Sequence, residues 1–174
     1  MKILGLDLSL TGTGVAVIEG GKLVTSDLIK SKPSGPRPKD EARRIQGIVD
    51  KISEHIDTYS PDLVVIEGIA FMAKNTTALA QLAGLNYLVR ALLLNRGIDF
   101  IIVAPSTLKK FITGKGNSQK DVMMLETYKQ YGLSLLDDNI VDAHGLAQVG
   151  HAVNDRDKIT KTQMEVVHLV STQI

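Results

Sequence analysis

The 174-residue sequence predicts an α/β domain in which a mixed five-stranded sheet is flanked by helices. Two observations predict this class. Three apolar runs near the amino terminus are separated by short glycine-containing joints, which is typical of successive antiparallel strands. Further along, apolar runs of strand length alternate with stretches whose apolar residues recur at helical spacing, which is typical of parallel strands joined by helices.

The amino-terminal third predicts three strands and then a helix. The strands are expected at 3–8, 14–18 and 23–29. The pair Gly20-Gly21 is a hairpin signal between the second and third strands. The proline-rich stretch 32–38 predicts a loop, and from Asp40 to Tyr59 the apolar residues are spaced along one helical face.

The rest of the chain predicts alternating strands and helices. Residues 63–67 have the continuous apolar character of a strand buried on both faces, and residues 100–104 predict another strand. The first of them is expected to be parallel to the amino-terminal strand, because a helix crosses between the two. Residues 76–95 predict a helix that is apolar nearly all round, and such a helix is either core or a subunit interface.

Three further helical signals follow the last predicted strand. Pro105 opens a short helix that ends at Gly114. The stretch Ser118–Asp121 resembles a helix cap, with an acid three residues after the serine. The last predicted helix begins near Asp137 or Asp138 and ends near Asn154.

Composition favours one globular domain, expected at residues 1–155, with a tail at 156–174 of uncertain structure. Within the tail, Met164–Val170 is consistent with a strand or a helical turn. The absence of cysteine excludes disulfides, thiolate zinc sites and cysteine nucleophiles. No signal peptide or apolar run of the ~20 residues that a membrane span needs is evident, so a cytoplasmic protein without a membrane partner is expected.

The formal net charge of +1 means that any nucleic-acid binding has to come from local basic patches. Basic residues cluster at 30–44, 109–120 and 156–161. Each cluster, taken alone, is also explained as a solvated face or loop.

Three carboxylates are placed where elements end. Asp7 and Glu67 each follow an apolar run, and if those runs are parallel neighbours both acids lie at one edge of the sheet. Asp142 shares a helical face with Asp138 and Asn139, which precede it by four and three residues. Such oxygen ligands suit Mg²⁺ or Mn²⁺, and the corresponding reaction is phosphodiester hydrolysis. Taken separately, Asp7 is also explained as a turn residue, Glu67 as a strand-end ion pair and Asp138 as a helix cap, but these explanations are weaker for the acids taken together.

The chain resembles the RuvC family of Holliday junction resolvases, which have a ribonuclease H-like fold. The motifs that carry this resemblance span residues 3 to about 150: Gly5-Leu6-Asp7, Ile66-Glu67, Phe71-Met72-Ala73-Lys74-Asn75, Gly116-Asn117-Ser118-Gln119-Lys120 and Val141-Asp142-Ala143. The string from Phe71 to Asn75 is the most specific of them. The resemblance implies a bacterial or phage endonuclease that cleaves four-way junctions and other branched DNA.

The resemblance also implies roles for individual residues. Asp7, Glu67 and Asp142 would bind Mg²⁺, with Mn²⁺ able to substitute. Phe71 would stack on a base opened at the crossover, and Lys120 would polarise the scissile phosphate. The implied DNA contacts are Phe71, Lys74, Lys109, Lys115 and Lys120.

The position of a fourth ligand is open. The family commonly has Asp or His three residues before the final acid, where this chain has Asn139, and Asp138 stands one residue earlier. One extra residue also separates Glu67 from Phe71. His144 follows Asp142 by two residues, so it points away from the ligand face and is interpreted as a capping or packing residue.

A homodimer is expected, with helix 76–95 at its interface, because a four-way junction offers two symmetric strands to two symmetric sites. Two alternatives compete with the nuclease. The opening Gly5–Gly14 also resembles the first phosphate loop of actin-like ATPases and sugar kinases, which normally need two lobes. The neutral Asn139 motivates a protein that binds junctions without cleaving them.

Overall fold

The computed structural model describes residues 1–33, 35–69 and 76–174, so the expected DNA contacts Phe71 and Lys74 lie outside the described residues. The strands are β1 (Lys2–Asp7), β2 (Gly12–Glu19), β3 (Lys22–Lys30), β4 (Leu63–Glu67) and β5 (Asp99–Val103). The helices are α1 (Pro38–Tyr59), α2 (Thr76–Asn95), α3 (Pro105–Thr113), α4 (Lys120–Tyr131), α5 (Asp138–Asn154) and α6 (Lys161–Val170).

The strands form one sheet in the order β3-β2-β1-β4-β5. β2 is antiparallel to both of its neighbours, β1 and β3, whereas β4 and β5 run parallel to β1. The predicted mixed five-stranded sheet is therefore confirmed. Because Leu6 pairs with Ile66, β1 and β4 reach the same edge of the sheet at Asp7 and Glu67.

Glycines in the sheet let α5 approach the strands at backbone distance. An added Cβ at Gly5 would lie 1.9 Å from the Ala143 carbonyl oxygen, and one at Gly14 would lie 2.0 Å from the Asn139 carbonyl oxygen. Gly14 pairs with Asp7 at the end of β1, so α5 begins at that edge. The helix then runs antiparallel to β1, and near its other end Gly150 contacts Ile3 and Leu63.

The opposite face of the sheet is covered by α1 and α2. α1 buries its isoleucine stripe, as its spacing predicted. α2 buries Leu85, Val89 and Leu93 but leaves Tyr87 and Leu88 exposed. In contrast to the sequence expectation, α2 is long and apolar enough to span a membrane by length and composition, although the core helix of a soluble protein meets the same criterion.

The start of α4 differs from the prediction. Its N-cap is Gln119, which makes no side-chain capping bond. The predicted cap, Ser118, instead places its hydroxyl 2.6 Å from that of Thr113 and donates to the Lys115 carbonyl. Ser118 therefore stabilises the α3–α4 loop instead of capping the helix, because its hydroxyl is bound to these oxygens.

The carboxyl-terminal segment, which the sequence left open, is helical. Thr160 and Gln163 form a reciprocal capping box at the start of α6. α6 contributes Val166, Val167 and Val170 to the core between α5 and the sheet, so a helix follows the one predicted to be last. In the turn after α6, the Gln173 side chain forms two hydrogen bonds with the backbone of Ile102 in the edge strand β5. It accepts from the Ile102 N–H and donates to the Ile102 carbonyl.

Candidate active site

Three acidic side chains converge at the edge where β1 and β4 end. Asp7 and Glu67 are the last residues of those strands, and their side chains interact with each other. Asp142 lies on the first turns of α5, which begins at the same edge. Asp7 is 7% exposed, whereas the other two acids are half-buried.

The three acids interact electrostatically. Burial raises the pKa of Glu67, and the negative charges of Asp7 and Asp142 raise it further. Burial and the charge of Asp142 likewise raise the pKa of Asp7. Burial raises the pKa of Asp142 to about 6, against the opposing effect of nearby lysines. A carboxyl–carboxylate hydrogen bond needs a shared proton, and a divalent cation between the acids would likewise neutralise their repulsion.

Two lysines supply positive charge to this site. The Lys120 ammonium lies 2.7 Å from the Asp138 carboxylate, and its field lowers the pKa of both Asp7 and Asp142. Lys109, on α3, acts in the same direction on Glu67 and Asp142. The structure therefore brings both lysines beside the acids.

Lys115 is placed differently from Lys109 and Lys120. It is exposed in the loop between α3 and α4. The hydroxyls of Thr113 and Ser118 both donate to its carbonyl, and its backbone N–H donates to Thr113. This arrangement fixes the backbone of the loop and leaves the Lys115 side chain at the surface.

The two candidates for the fourth ligand diverge. Asp138 turns towards Lys120, and its charge raises the pKa of Asp142. The Asn139 amide nitrogen instead lies 3.5 Å from where a Cβ on Gly12 would stand, beside the start of β2. Of these two residues, only Asp138 has a negative charge that acts on Asp142.

Two residues of the site were missed by sequence reasoning. Asp137 was considered only as a helix start, yet it caps α5 by accepting from the Asn139 N–H at 2.9 Å, and its charge raises the pKa of Asp7. Asn86, which is 1% exposed, donates to the Glu67 carbonyl at 3.3 Å. The sequence signal that could have identified Asn86 is a single amide side chain on the apolar side of α2.

His144 is a packing residue, as its position on α5 predicted. It is fully buried, it meets the Tyr131 ring edge-on at 4.9 Å, and its Nε2 lies 3.1 Å from the Gln148 amide. Burial lowers the pKa of His144 to about 4, which keeps the ring neutral.

The donor chemistry of the site fits a hard divalent cation, because carboxylate oxygens from three elements meet there without thiolates. Within the described ranges, however, no three acidic or histidine side chains already stand in a coordination cluster. One of the nearby acids, Asp138, is paired with Lys120. Asp7, Glu67 and Asp142 are thus gathered at one edge of the sheet without forming a closed coordination cluster.

A mixed sheet of this order, with acids at its carboxyl edge and a helix crossing beside them, defines the class of ribonuclease H-like proteins. The sequence model of the family described as crossover junction endodeoxyribonuclease RuvC matches residues 3–151. The chain therefore belongs to the RuvC family of crossover junction endodeoxyribonucleases, which are divalent-metal-dependent hydrolases.

Relatives and solved structures agree with this assignment. The RuvC of Brachyspira hyodysenteriae is 31% identical over 90% of this chain and 96% of its own length. That of Bifidobacterium adolescentis is 32% identical over 99% of this chain and 90% of its own. Against the RuvC of Bifidobacterium longum subsp. infantis, which is 36% identical over 69% of this chain, the match spans 62% of the relative.

Two solved structures share the fold. Thermus thermophilus RuvC in complex with a Holliday junction superposes with a TM-score of 0.73 at 20% identity, covering 84% of this chain and 90% of that one. The fowlpox virus Holliday junction resolvase gives a TM-score of 0.54 at 15% identity, covering 85% and 96%. The expected ribonuclease H-like fold is thereby confirmed.

Proposed function

We propose that this protein is a structure-selective endonuclease that cleaves Holliday junctions and other branched DNA by metal-dependent hydrolysis of a phosphodiester. The observation that carries the proposal is the meeting of Asp7, Glu67 and Asp142 at one edge of the sheet. The RuvC family match over residues 3–151 supports the same activity. It favours this activity over an actin-like ATPase, whose resemblance was confined to the first glycine-rich loop.

In this proposal Asp7, Glu67 and Asp142 hold Mg²⁺, and Asp138 completes the set in place of the neutral Asn139. Mn²⁺ is expected to substitute, because both ions prefer oxygen ligands. When bound, the metal activates water and stabilises the charge of the leaving oxygen. The hydrogen bond from the Asn86 side-chain amide to the Glu67 backbone carbonyl keeps the end of β4 in place for this role.

The lysines act on the phosphate rather than on the metal. Lys120 and Lys109 lie among the acids, so each can place an ammonium against the negative oxygens of a scissile phosphate. When Lys120 turns to the phosphate it leaves Asp138, and that carboxylate is then free to serve as a ligand. Lys115, and Lys74 and Phe71 outside the described residues, are proposed as further DNA contacts.

A homodimer is proposed, formed through α2. Tyr87, Leu88 and Leu94 on this helix are 64%, 46% and 74% exposed, which is more apolar surface than a helix in contact with water usually presents. A two-fold dimer would present two sites to the two symmetric strands of a junction. We propose that the protein is of bacterial or phage origin and acts on DNA in the cytoplasm.

The proposal is tested with a labelled four-way junction and a linear duplex of matched sequence, each incubated with and without Mg²⁺. We expect the wild-type protein to cut the junction only with metal and to leave the duplex uncut. Asp7→Asn should bind the junction without cutting it. A wild-type protein that binds junctions but never cuts them, with Mg²⁺ or Mn²⁺, would support the non-cleaving alternative instead.

A further inference from the structure

Two basic regions lie near the acids, and only one of these regions is used by the function proposed above. Lys109 and Lys120, on the two helices that follow β5 in the chain, act on the acids. In the second region, β3 ends at Lys30, which pairs with Gly12 at the start of β2. β3 is the edge strand, two positions from β1 in the sheet.

The sheet geometry fixes how far this second region lies from the site. Neighbouring strands are about 4.8 Å apart, so the end of β3 lies about 10 Å from the strand that ends at Asp7. DNA carries one phosphate per ~3.4 Å of axis on each strand. A duplex arm whose axis runs along this edge therefore reaches β3 about three base pairs from the phosphate at the acids.

Arg44 fastens the segment after β3 beside the site. Its guanidinium donates to the Leu10 carbonyl in the loop after β1, and its Nε donates to the Ser31 hydroxyl at 2.8 Å. The Ser31 N–H in turn donates to the Thr11 carbonyl at 3.1 Å. These bonds tie the β3–α1 segment to the loop that follows Asp7, so Lys30 and Lys32 are held next to the site.

The charge of this region differs from that of the whole chain. Positions 30 to 44 contain six basic and two acidic residues, a balance of +4, whereas the complete chain is +1. One of the two acids, Asp40, is 3% exposed and pairs with Arg37. Lys30 and Lys32 are exposed, and neither forms an ion pair within the part of the chain that the structure describes.

We propose that Lys30 and Lys32 form a second backbone contact, in which they bind phosphates of the junction arm that runs from the acids across β2 to the edge strand. This inference rests on the proposed function, because it needs DNA at the acidic site. The two lysines add affinity and set the direction in which the arm leaves the site. They do not touch the reacting phosphate.

The test compares two double variants of equal charge. Lys30→Ala/Lys32→Ala removes the proposed contact, while Lys2→Ala/Lys22→Ala removes two lysines at the opposite edge, where both residues pair with Glu19. Junction affinity is measured as a function of salt without metal, and single-turnover cleavage is measured at saturating protein. The first variant should lower the slope of log affinity against log salt by about 2, or about 1 for each lysine.

The expected result is a smaller slope and weaker binding for Lys30→Ala/Lys32→Ala, with the cleavage rate at saturation close to that of the wild type. The control variant should keep the wild-type slope. Equal slopes for the two variants would overturn the second contact while leaving the nuclease intact. Absence of junction binding by the wild type would instead reject the proposed function itself.

Discussion

Helices α5 and α2 are both apolar, yet one is core and the other is half surface. α5 buries ten of its 17 residues, whereas α2 buries four of 20. The difference lies in the surface that each helix meets. α5 rests on glycines of the sheet, which let its backbone reach β1, while α2 meets larger side chains from one side only. The first arrangement fixes Asp142 against the strands, and the second leaves apolar surface for a partner.

Among these features, a substitution at the contact between Gly5 and α5 should have the largest effect on stability. In Gly5→Ala the new methyl group would overlap the Ala143 carbonyl, so α5 must shift and carry Asp142 with it. We expect the free energy of unfolding to fall by about 3 kcal/mol or more, with loss of cleavage. Urea unfolding followed by circular dichroism measures this change.

Gly47→Ala provides the matched control. Gly47 lies on the exposed side of α1, and an added Cβ there meets no atom within 4 Å. Because alanine restricts the unfolded chain, this variant should be more stable by about 0.4–1 kcal/mol. A Gly5→Ala protein as stable as Gly47→Ala would mean that α5 is not held at backbone distance.

Lys120 tests whether the site beside α5 needs its positive charge. Its ammonium pairs with Asp138 and lies in the field of Asp7 and Asp142. Lys120→Ala should slow single-turnover cleavage by about 10²-fold, because a charge directed at the phosphate is lost. Lys129→Ala, which removes an exposed i,i+3 ion pair with Glu126 on the same helix, should cut at the wild-type rate. Unchanged cleavage by Lys120→Ala would remove the residue from the mechanism.

The two candidates for the fourth ligand on α5 are separated by a metal titration of cleavage. Asp138→Asn should reduce cleavage by about tenfold and raise the Mg²⁺ concentration needed, because a neutral amide is a weaker ligand than a carboxylate. Asn139→Asp should have little effect, since its side chain points towards Gly12. A silent Asp138→Asn together with a lower metal requirement for Asn139→Asp would reverse the assignment.

A charged residue can be introduced on the exposed side of α2 without disturbing the core, whereas the buried side of α5 could not accept one. Leu88 is 46% exposed, so Leu88→Lys should fold normally while its charge opposes self-association. Light scattering at micromolar concentration should show a dimer for the wild type and a monomer for the variant. Val24→Lys, at a residue 49% exposed on β3, is the control and should remain dimeric. A monomeric wild type would reject the dimer.

Much of this arrangement follows from sequence because its signals are local. Acids directly after apolar runs predicted that Asp7 and Glu67 would share an edge, and glycine spacing predicted the meander. The contacts that decide the rest are between distant residues. The pairing of Lys120 with Asp138, the bond from Asn86 to Glu67 and the contact of Asn139 with Gly12 depend on how helices dock, which hydrophobic periodicity does not encode.

α6 shows the same limit. Its capping residues, Thr160 and Gln163, were present in the sequence, but a helix of ten residues with this mixed composition is stabilised mainly by packing. Its apolar face packs on α5, which directly precedes it, and on α3, which is remote in sequence. Local propensity alone therefore left a strand and a helix as equal interpretations.

Single-turnover cleavage of a four-way junction by Asp142→Asn tests most directly whether α5 delivers a catalytic acid to the strand ends. The substitution keeps the size of the side chain and removes its negative charge. We predict that cleavage falls at least about 10³-fold, or about 4 kcal/mol in activation free energy, while junction affinity without metal stays at the wild-type value or increases. Cleavage within a few-fold of wild type at the same Mg²⁺ concentration would contradict the account.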